Sequence, residues 1–503
     1  MTILGVVSGG REPRKLDQEA LDDAALGALR SRLREVGYTV DALARAERIA
    51  PGAFDALRLP LVRHRLEQED SPASWLLQAF AYDATFTDGT LERALGGGLV
   101  EALHRAGLVR ITQLDDGRRL VCPEARLLPF EDDYLFCDAP GSRPDSVMGP
   151  GPTTQMLLRA LPERMPERVL DVGTGAGTIA LVAAARGARR VVATDVNARA
   201  VAMARLNARL NGRAIECVEG DLLAPVHGER FDLVVSQPPF VTQPLGGVTV
   251  AYLHGGAAGD EIALRLFSEV PGALAPGGRA MAFVESLRRP GPPLTARVRT
   301  ALGAAPLDLL LLLEPGQPLD RQAIAYAAGE HPRLDLAFSE AVVGYARAFE
   351  AVGAQDAQRA LVVVSDGGGT EPRYTAGVPV PSSARFSAEA VERALGALAL
   401  ASSPDPAMLA AAVALTPAAR ICEEHRAGGE PRAYLRFDAG ALAQDRELNP
   451  ALAALCQLAL EPTSVVDLIA EYAAACDAGP DDVRTQVLGA LREGLASGAF
   501  VTA

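Results

Sequence analysis

Val169-Leu170-Asp171-Val172-Gly173-Thr174-Gly175-Ala176-Gly177 is the stretch that decides how this chain is read. Its apolar start predicts a buried strand. Its alternating glycines predict a turn in which backbone comes close to a ligand. Residues 178–186 continue as a helix whose N-terminus would face that ligand. A strand, a glycine turn and a helix in this order would seat a nucleotide-like cofactor. Alone the pattern is weak, because dinucleotide-binding proteins share it.

Short apolar runs recur around this stretch, at residues 168–172, 190–194, 214–219, 231–236, 278–284, 307–313 and 359–364, with helical patterns between them. They predict an α/β domain over residues 146–366 with a seven-stranded, doubly wound, Rossmann-like sheet. Residues 314–358 form a long insert before the last strand, expected to fold over the functional edge. Successive strand ends carry acids. Asp195 ends the second strand, where a carboxylate accepts from two ribose hydroxyls. Asp221 follows Gly220 at the end of the third, placed for an adenine amine. Thr174, Val196, Leu222 and Ser236 sit beside these strand ends and join the expected cofactor set.

Ser236-Gln237-Pro238-Pro239-Phe240 follows the fourth strand, at the carboxyl edge where α/β proteins bind ligands. The lone pair of an amide or aromatic amine nitrogen is delocalised, so such a nitrogen reacts poorly. The Gln237 side-chain oxygen and the Pro238 carbonyl would accept its two N–H hydrogens and turn the lone pair outward. Pro239 keeps the turn stiff, and Phe240 offers a stacking face to a planar group. In-line positioning would then supply most of the rate. In the next loop, Tyr252 and His254 are candidates for lining the substrate pocket, His254 by taking a proton or a hydrogen bond.

On these residues the chain resembles the class I S-adenosylmethionine-dependent N-methyltransferases bearing Asn-Pro-Pro-Tyr/Phe. That group includes the HemK-type release-factor glutamine methyltransferases and the ribosomal RNA guanine-N2 methyltransferases. The resemblance covers residues 145–365. It implies that Gly173, Gly175, Gly177, Asp195 and Asp221 bind S-adenosylmethionine and that Asp171 meets its amino group. It implies also that Gln237, Pro238, Pro239 and Phe240 present the target nitrogen, with S-adenosylhomocysteine as product. Gln237 stands where the group has Asn, one methylene longer, which moves the acceptor and adds a rotor. In the entry loop from Gly149 to Thr154, Thr153 and Thr154 are expected to cap a helix over residues 155–161 while the loop lies over the cofactor's methionine part.

Bulk properties narrow the partners. The chain has 503 residues, 49% apolar, with 49 basic and 63 acidic residues and a net charge of −14. That balance disfavours a protein that works by gripping phosphates. Arg-rich pieces at residues 30–34 and 186–190 read as solvated surface. Cys122, Cys137, Cys217, Cys422, Cys456 and Cys476 are scattered without a Cys-x-x-Cys pair, so reduced core thiols and no metal are expected. Neither a convincing signal peptide nor a membrane-spanning apolar run is visible, and a cytoplasmic protein is expected.

The flanks are read more coarsely. Residues 1–17 form a tail. Residues 18–138 show helix, helix and hairpin in the order of a winged helix, with Asp115-Asp116-Gly117 at the wing. The mixed charge there favours a substrate-contacting or packing role over DNA binding. Pro140, Gly141 and Pro144 mark a boundary, and residues 367–385 a linker. Residues 386–503 are expected to be helical with a winged-helix-like end; residues 447–501 faintly resemble the peptide-binding (PqqD-like) domains of enzymes that modify ribosomal peptides. The expected function is N-methylation of a planar amine or amide in a protein or peptide. The alternatives are an RNA nucleobase as target, or a non-catalytic protein that senses the cofactor and recruits partners.

Overall fold

The computed structural model describes residues 14–48, 58–87, 89–139, 143, 145–244, 253–331, 335–425 and 431–503. Tyr252 and the boundary residues Pro140, Gly141 and Pro144 lie outside them. Contacts divide the chain into two compact units. One comprises Met1–Gln155, Arg164–Leu266 and Leu319–Gly353; the other comprises Met156–Glu163, Phe267–Pro318 and Ala354–Ala503.

In the first unit, strands β1 (Arg168–Val172), β2 (Arg190–Asp195), β3 (Glu216–Glu219) and β4 (Phe231–Ser236) lie parallel in the order β4-β1-β2-β3. Val169, Leu170, Asp171 and Val172 of β1 are all buried, as expected of a strand covered on both faces. Helices α1 (Thr178–Ala185) and α2 (Ala198–Asn211) follow β1 and β2. All seven expected strands form, four of them parallel in this unit and three in the second, which adds one more and is mixed.

The additional strand lies in the second unit, where β5 (Leu274–Arg288), β6 (Leu307–Leu313), β7 (Asp356–Asp366) and β8 (Thr375–Pro379) follow the order β8-β6-β7-β5. Strand β7 runs antiparallel to both β5 and β6, and β8 pairs parallel to β6. Part of the expected linker is therefore strand. Pro379 ends β8 at the sheet edge, a place where a missing N–H costs no ladder bond. The insert forms helices α3 (Leu319–Glu330) and α4 (Leu336–Ala351), which belong to the first unit.

The N-terminal part of the first unit has the expected helices, Thr90–Leu95 and Gly97–Arg105, and the expected hairpin Val109–Gln113 with Arg119–Pro123. A second hairpin, Arg126–Phe130 with Asp133–Cys137, was not expected. Its outer strand is sealed by α2. Asn207 accepts from Phe136 N (2.8 Å) and donates to Phe136 O (2.8 Å) and Ala176 O (2.8 Å). Asn211, one turn on, accepts from Tyr134 N (2.9 Å) and donates to Tyr134 O (2.7 Å). Two amides at helical spacing thus satisfy an edge strand that would otherwise bury unpaired backbone. A buried bidentate pair, Arg199 with Asp138, fixes the same seam, and Asp138 also accepts from Val147 N (2.9 Å). Leu26, Leu29 and Leu33 share one apolar core with Met203, Leu206 and Leu210.

The C-terminal part of the second unit, expected to be helical with a winged-helix-like end, holds more strand than the terminal one expected at Phe500-Val501. Strands Ala419–Glu424, Arg432–Phe437 and Arg446–Glu447 form one sheet, and Thr463–Ser464, Ala412–Leu415 and Phe500–Thr502 another. Each strand is only two to six residues long, too short for its two-residue period to stand out of an Ala/Leu-rich background. The three expected helices form at Pro450–Leu458, Val465–Ala475 and Pro480–Ala496, the first two capped by Asn449 and Ser464. Among the described residues, no helix is long and apolar enough to cross a membrane.

Candidate active site

The carboxyl ends of β1 to β4 open into a cavity of 420 Å³ within the first unit, a size suited to a small-molecule ligand. Its floor at one end is the glycine turn. Gly173, Gly175 and Gly177 have φ values of 72°, 55° and 84°, a region closed to most side chains. Two amides of the turn, Gly173 N and Thr174 N, donate to the single carbonyl of Thr194 (2.8 and 2.9 Å), which folds β1 over the end of β2. A Cβ on Gly173 would enter open space, whereas one on Gly177 would sit 3.2 Å from Ala204 Cβ of α2. Gly177 is thus a packing glycine between helices, and it does not line the cavity.

Asp195 lines the cavity and is tied in place by backbone. Oδ2 accepts from Gly175 N (2.9 Å) and Oδ1 from Asn197 N (2.9 Å). Burial raises its pKa, opposed by these N–H donors. Each oxygen has acceptor capacity beyond the bond it makes. Val196, Asp221 and Leu222 line the same end. Asp221 pairs with Arg265 at 2.6 Å on the surface, and Leu222 takes a left-handed φ of 47° while its carbonyl accepts from Thr194 Oγ1 (3.1 Å). Gly220 is needed for the turn, since a Cβ there would strike Pro225 Cγ at 2.3 Å.

Besides Gly177, two more expected cofactor residues lie outside the lining. Asp171 is fully buried beneath the turn and outside the cavity lining. Its Oδ2 accepts from Thr174 Oγ1 (2.6 Å) and Ala180 N (3.1 Å). That geometry makes it a pin for the turn. Burial pushes its pKa up to about 7 against those two bonds, with the Asp195 carboxylate adding to the rise. Ser236 is also buried outside the lining and donates to Val172 O (2.8 Å), joining β4 to β1.

The other end of the cavity is built by side chains. Gln237, Pro238, Pro239, Phe240 and His254 line it. Both ends of the Gln237 amide are held: Thr154 Oγ1 donates to Oε1 (2.7 Å), and Nε2 donates to Thr153 Oγ1 (2.7 Å). Gly151 N donates to Thr154 Oγ1 (3.3 Å), which leaves that hydroxyl's proton to Gln237. The longer side chain is therefore no free rotor. The helix begins at Pro152, so the two threonines lie in its first turn: Thr154 caps the helix start at Gly151 N, and both threonines hold Gln237.

The glycine-rich loop after His254 braces the di-proline turn. A Cβ on Gly255 would meet Pro239 O at 2.4 Å, and one on Gly259 would meet Phe240 O at 2.3 Å. Val241–Thr242 pairs parallel with His254–Gly256, with Val241 N donating to Leu253 O (2.9 Å). His254 is buried against the insert: its Nε2 lies 3.0 Å from Glu330 Oε1 and 3.2 Å from the Tyr345 hydroxyl. Glu330 and Tyr345 were missed in the sequence, since no local motif marks them. Among the described residues, no cluster of three His, Cys, Asp or Glu side chains forms a metal site.

Residues 146–290 match the family model of the methyltransferase small domain. The release factor glutamine methyltransferase of Deinococcus radiodurans is 38% identical over 167 residues, 30% of this chain and 58% of that protein. The release factor glutamine methyltransferase of Geobacter sulfurreducens is 32% identical over 219 residues, 39% of this chain and 74% of that protein. The ribosomal protein L11 methyltransferase of Aquifex aeolicus is 43% identical over 98 residues, 19% of this chain and 39% of that protein. The chain thus spans little more than half of the Deinococcus relative and less than half of the Aquifex one.

Proposed function

This chain belongs to the class I S-adenosylmethionine-dependent N-methyltransferases of the HemK-type glutamine methyltransferase group, and from that premise we propose that it methylates a planar amide nitrogen of a protein substrate. The observation that carries the reading is the Gln237 amide, locked by Thr153 and Thr154 in the wall of the cavity whose floor is the glycine turn. The relatives' names speak for a protein acceptor: release factor and ribosomal protein L11.

The residues present fit the cofactor. The open space above Gly173 is a cradle that a Cβ would fill, and Asp195 keeps acceptor capacity for vicinal hydroxyls. When bound, S-adenosylmethionine supplies an electrophilic methyl group. The chain's own residues do the rest. Asp195 and the glycine turn orient the ligand. Gln237 Oε1 and the Pro238 carbonyl accept the N–H hydrogens of the target, and Phe240 covers its plane. Held in this way, the nitrogen meets the methyl group already aligned, which removes most of the entropic barrier. Because the Thr154 hydroxyl already bonds Oε1, the amide need not reorganise as the target binds.

The test is release of S-adenosylhomocysteine from purified bacterial release factor, ribosomal protein L11, and a protease-treated or RNase-treated cell extract. Turnover on protein that survives RNase and dies with protease supports the reading. Turnover lost only to RNase would replace it with a nucleobase acceptor.

A further inference from the structure

The inserted helical hairpin leaves one of its faces open beside the acceptor end. On α4, Leu336, Glu340, Val343, Arg347 and Glu350 recur every three or four residues, which sets them along one side of the helix. All five are exposed, Leu336 by 74% and Val343 by 49%. The opposite side carries Tyr345, Ala348 and Phe349, all buried, and the Tyr345 hydroxyl lies 3.2 Å from His254 Nε2 in the cavity wall. Gly344 stands about a quarter turn from Val343. A Cβ on Gly344 would lie 3.5 Å from Pro244 Cβ. The open side of α4 is thus flanked by the segment that leaves the di-proline turn, where Phe240 and Val241 line the cavity.

A single exposed leucine or valine is ordinary. These are not scattered. Among the described residues of the first unit, the large apolar side chains left exposed are Leu61, Met148, Val196, Ile324, Leu336 and Val343. Met148 and Val196 line the cavity, and the last three belong to α3 and α4. All but Leu61 therefore lie in the cavity or on the hairpin beside it, the kind of concentration that marks an interaction site. The charge of the hairpin is one-sided as well. Asp320, Glu330, Asp335, Glu340 and Glu350 stand against Arg321 and Arg347. An acidic surface repels phosphates and attracts a polypeptide that brings basic side chains.

We propose that the open side of α4 is a docking surface for the protein acceptor, and that it grips a basic, apolar segment of that protein outside the cavity. The inference rests on the reading of the cavity as an N-methylation site for a protein. The hairpin then selects the polypeptide, and the cavity selects the nitrogen. Contacts made this far from the reacting atoms are the same before and during methyl transfer, so they act on KM and leave kcat alone.

The experiment measures the affinity of the full chain, loaded with S-adenosylhomocysteine, for labelled probes. These are a short peptide of lysine, leucine and glutamine, the same peptide with glutamate for lysine, and a single-stranded RNA of similar length. The basic peptide should bind, and should lose about tenfold in affinity to L336S/V343S and to E340K/E350K. Only the second loss should shrink in high salt. The acidic peptide and the RNA should bind the wild type at least about tenfold more weakly. Thermal melts of both variants should match the wild type, because the replaced side chains are exposed. Equal affinity of wild type and variants for the basic peptide would overturn the proposal. So would RNA binding that L336S/V343S abolishes, or a wild-type dimer in sedimentation that L336S/V343S dissolves, since a second copy would then cover the face. With a methylated protein, release factor or L11, L336S/V343S should raise KM about tenfold and change kcat less than about twofold. An active enzyme whose KM ignores both variants would sink the docking surface alone. Turnover lost only to RNase would sink the protein-methylation reading, whatever the peptides do.

Discussion

The two ends of the cavity are built in opposite ways. At the cofactor end, backbone does the work: glycine amides, the Thr194 carbonyl and strand ends that follow one another in the chain. At the acceptor end, side chains from residues 153, 154, 237, 254, 330 and 345 converge from segments far apart in sequence. A pocket made of backbone tolerates many sequences but needs its glycines. A pocket made of converging side chains changes with each substitution, and so sets what is accepted. The comparison predicts that substitutions at the two ends separate cleanly into binding and turnover.

The largest expected effect tests that separation. Gln237→Ala removes the amide oxygen while Thr153 and Thr154 remain, and kcat should fall about 10²–10³-fold, the range for losing one preorganised polar group. Cofactor affinity, measured by calorimetry, should stay within about twofold. Equal loss of both would erase the distinction between the ends. The next effect concerns Asp171, fully buried beneath the glycine turn. Asp171 holds a proton up to about pH 7 in the fold, against an ordinary 3.8. Between those values the folded protein binds a proton that the unfolded chain has lost, so stability falls as pH rises through this window and is level above it. Asp171→Asn keeps the bonds to Thr174 and Ala180 without titrating. Its stability relative to wild type should therefore grow between pH 4 and 7, by an amount on the order of 3 kcal/mol. A constant difference in denaturant melts would show that the acid is ionised throughout.

How much of this was legible in the sequence follows from the same contrast. The glycine turn, Asp195 and the Gln237–Phe240 turn were readable because their residues are contiguous and their backbone needs are peculiar. The seven expected strands were readable because a doubly wound sheet writes itself as short apolar runs. Strand β8 was not, since Val378 and Pro379 read as linker until an edge partner is known. Asn207 and Asn211 looked like ordinary helix surface; only the unforeseen hairpin gives them their task. Glu330 and Tyr345 lie in a helical hairpin whose pattern says amphipathic and nothing more. Asp171 was assigned to the ligand by resemblance; that it is buried, with Oδ2 accepting from Thr174 Oγ1 and Ala180 N, no local pattern announces.

Below these in size come the seam and the ribose end. Asn207→Ala strips a buried strand of its partners at Phe136 N, Phe136 O and Ala176 O, and should cost about 2–3 kcal/mol in chemical denaturation. Because Ala176 lies in the glycine turn, cofactor affinity should drop with it, unlike in Gln237→Ala. Asp195→Ala should weaken cofactor binding about ten- to hundredfold, the scale of a charge-assisted bond, and leave kcat at saturation nearly unchanged. Unchanged affinity would remove Asp195 from the ligand.

The smallest effect marks where the cofactor end stops. Arg265 and Asp221 pair at 2.6 Å, and both side chains are about half exposed. Such pairs contribute between nothing and about 1 kcal/mol and are screened by salt. Arg265→Ala should therefore leave thermal stability unmoved. It also frees an Asp221 oxygen in the cavity wall, so cofactor affinity should shift by less than about threefold, with the difference vanishing in high salt. A tenfold loss that persists in salt would mean that Arg265 itself reaches the ligand. The boundary between a backbone-built end and a side-chain-built end would then have to be drawn one helix further out.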